Sequence, residues 1–80
     1  MNSLTIRVED GSIVNINVLD IIDSSVFGKT FIIYTFEGEE KTIFASILNE
    51  KAPTFSLDPI TNKEEINYIN SEIDRVSFTK

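Results

Sequence analysis

Few side chains in this sequence could carry chemistry, because it contains no histidine and no cysteine. Histidine is the usual proton carrier near neutral pH, and imidazole or thiolate ligands build most transition-metal sites, so both routes are closed. Carboxylates, hydroxyls and one glycine-lysine-threonine run remain. Asp20 and Asp23 flank Ile21-Ile22. Such a pair could act as acid and base or hold a hard cation, but a structural role at a strand bend outweighs both. Glu37, Glu39 and Glu40 surround Gly38 without the alternating oxygen ligands of a calcium loop, which reads as a solvated turn. Gly28-Lys29-Thr30 looks like the end of a phosphate loop, yet Asp23 stands where the first glycine belongs and a hairpin is expected there. The expectation is a chain that is not an enzyme, with no catalytic residue, no cofactor and no metal site.

Aromatic side chains are the other candidates, because aromatic anchors dominate interface energetics. Phe27 and Phe36 each adjoin a turn and are the best placed for exposure; Tyr34 and Phe55 complete a set of possible protein contacts. For most such aromatics the core is the commoner destination.

These residues must be positioned by elements that the apolar spacing outlines. Leu4-Thr5-Ile6-Arg7-Val8 and Ser12-Ile13-Val14-Asn15-Ile16-Asn17-Val18 alternate with the period of half-buried strands. A three-residue loop over Glu9-Asp10-Gly11 sets Val8 against Ser12, Ile6 against Val14 and Leu4 against Ile16, so the apolar faces coincide; a two-residue loop would mix core and solvent sides. Alternation breaks at Leu19-Asp20-Ile21-Ile22-Asp23, and a reversal follows near Phe27-Gly28. Residues 30–36 and 41–48 form a second hairpin. A tight turn centred on Gly38-Glu39 pairs Phe36 with Lys41, Tyr34 with Ile43, Ile33 with Phe44 and Ile32 with Ala45, and both faces of this hairpin are apolar.

Thr54-Phe55-Ser56-Leu57-Asp58 reads as a short last strand at a sheet edge, stopped by Pro59. An open edge there could accept a partner's strand, and proline in place of Ser56 would then weaken a complex more than the fold. Thr61 with Glu64 fits a capping box that starts a helix running to about Arg75 or Val76, with Ile66, Ile69, Ile73 and Val76 on one stripe. The fold class expected is α+β: an antiparallel, mostly meandering sheet of about five strands, possibly curled, with one C-terminal helix packed on it. Residues 1–80 form a single domain. The second apolar face of the central hairpin needs either a curled sheet or another subunit to bury it.

With 80 residues there is room for one core, and a formal net charge of −6 spread along the chain disfavours direct nucleic-acid binding. No stretch approaches the length of a membrane span and no basic leader opens the chain, so no membrane partner and a cytoplasmic location are expected. The apolar spacing and turns resemble a known family. An alternating strand, an Asp-Gly turn, Val18-Leu19-Asp20, Gly28-Lys29 with Phe31, an acidic reversal, and Leu57 with Ile60 leading into Glu64-Glu65 are similar to the YrzB-like family of small acidic bacterial proteins. That resemblance implies a bacterial cytoplasmic setting and supplies no known activity or catalytic residue. The function expected is a non-catalytic protein-interaction or regulatory module with an unknown, possibly basic, protein partner. A structural homodimer, or an acidic nucleic-acid mimic that occupies a basic protein, are the alternatives.

Overall fold

The period-two segments become strands β1 (Asn2–Arg7) and β2 (Ile13–Ser24), paired antiparallel with Ile6 opposite Val14 and Leu4 opposite Ile16, the register that keeps apolar faces together. The structure, a computed structural model, describes residues 2–7, 11–51 and 54–78. Val8, and with it the expected contact to Ser12, lies outside the described residues. Gly11 closes the first loop at a φ of 90°, a conformation that glycine adopts without steric penalty. β3 (Lys29–Phe36), β4 (Glu39–Lys51) and β5 (Thr54–Asp58) follow as a meander, and α1 (Lys63–Phe78) ends the described chain. The five-strand antiparallel sheet with one C-terminal helix is the α+β arrangement expected.

The sheet is closed into a barrel. β2 and β4 are long enough to serve two neighbours each. Ile13–Val18 of β2 pair with β1 while Ile16–Ser24 pair with β3, and on β4 the Ile47–Lys51 half pairs with β5. β5 then meets β1 in parallel through Ile6 opposite Phe55 and Arg7 opposite Ser56. β5 is therefore not an open edge, because both of its sides are paired. Ser56 faces Asn49 on one side and Arg7 on the other, so a proline there would break the barrel rather than report on a partner.

Two irregularities set which side chains face where. Val18 pairs with Tyr34 but Asp20 with Ile33, so Leu19 is an extra residue in β2, and the broken alternation at 19–20 is a β-bulge. On the other side of β3 the register differs from expectation by one residue: Tyr34 lies opposite Phe44, Ile33 opposite Ala45 and Ile32 opposite Ser46. The loop is Glu37-Gly38, closed by Phe36 opposite Glu39, and the strands are out of step until Phe44. A one-residue slip exchanges the two faces of β4, so Phe44, Ser46 and Leu48 point into the barrel and Ile43, Ala45 and Ile47 point outward.

Both faces of β3 are consequently buried. Ile32 and Tyr34 join Ile6, Ile16 and Leu48 inside the barrel, with Leu4, Val14, Val18, Phe36, Phe44, Phe55 and Leu57 packed against them. Phe31, Ile33 and Thr35 lie on the outer face, with Tyr68 of α1 against Phe31 at a ring-centroid distance of 6.0 Å. Curling of the sheet, not a second subunit, buries the second apolar face.

The helix cap differs by one residue from the expected capping box. Asn62 Oδ1 accepts from the backbone N–H of Glu64 at 2.8 Å and of Glu65 at 3.2 Å, so Asn62 rather than Thr61 is the N-cap. Replacing Asn62 by Ala is expected to destabilise α1 by about 1 kcal/mol, and Thr61→Ala by much less. Urea unfolding of both variants, followed by helical circular dichroism, checks this order. The buried stripe of α1 centres on Ile69 and Glu65, while Ile66 remains 40% exposed; of the expected stripe, the side chain of Val76 lies outside the described residues.

Candidate binding groove

The outward turn of Ile43 and Ala45, which follows from the β4 register, places them beside α1. The connection from β5 brings Pro59 and Ile60 to the same place, and Ile66 and Ile73 form the opposite bank. Together they enclose an open apolar groove of about 430 Å³. Its floor is firm: the Tyr34 hydroxyl and Ser46 Oγ share a buried hydrogen bond of 3.0 Å. Part of the adjoining strand has no ladder partner on one side. Among the described residues β4 meets β5 only from Ile47 onward, and residues 40–43 have no ladder partner on β3 either. A free strand edge and an apolar groove therefore coincide, the geometry by which a sheet accepts an extended segment. Exposed Glu37, Glu39 and Glu40 stand at the start of this edge with one cation, Lys41, beside them.

The residues singled out from the sequence are distributed differently. Tyr34 is buried in the barrel, and Phe36 packs on it edge-on at 5.5 Å with Phe44 close by. Phe55 packs against the same core. Phe27, expected at an exposed turn, lies under α1 against Tyr68 at 5.6 Å and Phe31 at 6.0 Å. These four aromatics form no common surface, because barrel closure takes three of them inward and the helix covers the fourth.

The polar candidates are also separated. Three positions apart on a strand, Asp20 and Asp23 point to opposite faces. Asp20 approaches Arg75 at 3.6 Å and Asp23 accepts from Thr30 Oγ1 at 2.8 Å. Arg75 also donates to Glu72, whose hydrogen bond and charge raise the guanidinium pKa above its ordinary value. In the acidic turn Glu40 accepts from the Gly38 backbone N–H at 2.6 Å, and all three glutamates are exposed. Gly28-Lys29-Thr30 belongs to the β2–β3 hairpin, as expected, and lines an open hollow of mixed character, about 580 Å³, with Asp23, Ser24, Ile47, Leu48 and Asn49. Among the described residues no group of three or more acidic residues is placed to hold a metal ion, and no helix is long and apolar enough to cross a membrane.

One polar contact was not anticipated from the sequence. Lys29 Nζ reaches Glu65 Oε2 at 2.8 Å, with the glutamate side chain only 4% exposed and the lysine 42%. Glu65 Oε1 is buried without a hydrogen-bond partner. Its sequence signal is a carboxylate four residues before Ile69, on the apolar stripe rather than beside it.

Compared with family models, curated proteins and solved structures, the chain matches none, which leaves the resemblance to the YrzB-like family resting on turns and apolar spacing alone.

Proposed function

We propose that the protein is a non-catalytic interaction module that takes an extended segment of a partner protein onto the free edge of β4. The coincidence of that edge with the groove between β4 and α1 is the observation that carries the reading. Alternate side chains of an added strand point to one face, so a segment with aliphatic residues at every second position would fill the space beside Ile43, Ile60 and Ile66. Lysine or arginine at its end would meet Glu39 and Glu40, in keeping with a basic partner and the net charge of −6. The commitment of Asp20, Asp23 and Glu65 to internal partners supports a binding role over acid-base work. The reading carries with it the bacterial, cytoplasmic setting that the family resemblance implies.

Thr42 is the position at which to test it, because among the described residues it has no ladder pair on β3 or β5, so proline there removes a backbone donor of this stretch without breaking one. Tagged wild-type and Thr42→Pro chains are used to retrieve partners from native lysate at low and high salt. The expected result is a partner held by the wild type, weakened at high salt as the acidic rim is screened, and reduced at least tenfold by Thr42→Pro with the unfolding midpoint nearly unchanged. Equal recovery by both chains, or no partner at either salt, would overturn the proposal.

A further inference from the structure

The groove beside β4 has a closed end. β5 takes over the free side of β4 at Ile47, opposite Asp58, and Pro59 lines the groove at that point, so a segment added beside residues 40–46 can extend the ladder no further. Where it must stop, a second hollow of about 240 Å³ opens between the ends of β1 and β5, lined by Arg7, Phe36, Leu57 and Asp58. Tyr34, Ser46 and Pro59 line both spaces, which makes the hollow continuous with the end of the groove.

Two donors at this junction are uncommitted. Tyr34 and Ser46 are only 5% and 9% exposed, and their hydroxyls share one hydrogen bond. One proton makes that bond; the proton of the accepting hydroxyl has no acceptor among the described residues, so it can donate to an oxygen brought in from outside. Arg7 enters no ion pair among the described residues, while Asp58 on the same wall is engaged by Asn49. A guanidinium beside a buried O–H proton selects an oxygen anion, and a carboxylate matches the planar fork of arginine.

Resting on the reading that β4 takes an extended partner segment, we infer that this segment is the partner's C-terminal tail and that Arg7 and the Tyr34–Ser46 hydroxyl pair bind its terminal carboxylate. A chain that ends where the ladder ends places a carboxylate at the uncommitted donors, whereas an internal segment would have to turn away at Pro59 and leave them unused. The tail then runs parallel to β4, with its last residue beside Ser46. Charge fixes the other end. Glu40 and Ser46 are six positions apart, about 20 Å along a strand, so a lysine or arginine about six residues before the terminus reaches Glu39 and Glu40. The tail therefore carries a base, aliphatic residues at alternate positions and a free terminus.

The test titrates the full-length chain, labelled with heavy nitrogen, with a peptide of about seven residues that begins with lysine, alternates threonine with valine and ends on valine as the free acid; a second peptide differs only in a terminal amide. The acid is expected to shift the amide signals of Arg7 and residues 42–46 and to bind at least tenfold more tightly than the amide. Arg7→Gln, an exposed position whose backbone pairing to Ile13 and Ser56 is kept, should lower the affinity of the acid to that of the amide and leave the amide unchanged. Equal affinity of the two peptides, with shifts along residues 42–46, would overturn the inference and leave strand addition standing. A preference for the acid that survives Arg7→Gln also overturns it. If neither peptide shifts any amide, the inference is rejected, and strand addition is judged by the lysate comparison with Thr42→Pro alone.

Discussion

Replacing Ile32 by Ala is expected to destabilise the protein by about 3–4 kcal/mol, the largest effect of any single truncation considered. Ile32 is fully buried at the centre of β3, pairs with Ile21 and Ser46 and packs inside the barrel. A closed barrel cannot collapse easily around lost volume, because each strand is held on both sides, so most of the cavity persists. For a domain of 80 residues whose total stability is of order 4–12 kcal/mol, a loss of this size lowers the melting temperature by roughly 15–25 °C. Ile21 supplies the control. It sits opposite Ile32 in the same pair of strands but is 51% exposed, so Ile21→Ala should cost well under about 1 kcal/mol. Thermal unfolding of the two variants measures the contrast; equal losses would mean that the barrel interior is not the stabilising core.

The second large effect is expected at the contact between β3 and α1. Lys29→Met leaves the Glu65 carboxylate buried with neither oxygen paired, and removal of one partner from a buried ion pair typically costs several kcal/mol. Lys29 is itself 42% exposed and water can reach part of the site, so about 2 kcal/mol is expected. The reverse substitution should be milder. Glu65→Leu frees Lys29 to hydrate and puts an aliphatic side chain on the apolar stripe, which should keep stability within about 1 kcal/mol of wild type. With Lys29→Met and Glu65→Leu combined, most of the loss caused by Lys29→Met alone should disappear. Urea unfolding of the four chains closes the cycle, and symmetrical losses for the two single variants would refute the asymmetry argued from burial.

The elements and the first hairpin were legible because apolar faces coincide in only one register of β1 on β2, with Ile6 opposite Val14. The second hairpin was not, because both faces of β3 are apolar and either register of β4 buries as much. Only the irregular stretch between Phe36 and Phe44 decides, and Glu39-Glu40-Lys41-Thr42 carries no residue that marks it. The groove was hidden for the same reason, since Ile43 turns outward only in the observed register. The apolar surplus on β3 pointed to a curled sheet or a second subunit, but not to full closure: the parallel contact of β1 with β5 involves just two residue pairs, so β5 read as an edge. Thr61 lost the cap to Asn62 because both are good capping residues and Glu64 follows Thr61 at the spacing of a capping box. The burial of Glu65 was hard to read because it depends on Lys29, far away in sequence.

Those two residue pairs between β1 and β5 also bear on the order in which the molecule assembles. Every other strand contact joins neighbours in sequence through a short reversal, but Ile6 and Phe55 are separated by about fifty residues, and closing so long a loop carries the largest entropic penalty in the fold. The meander therefore folds first as an open ribbon of hairpins, and its two ends meet last. By the same reasoning the amides along this seam exchange with solvent through the lowest-energy opening of the barrel. Opening there would leave a ribbon whose outermost strands each present an unpaired side.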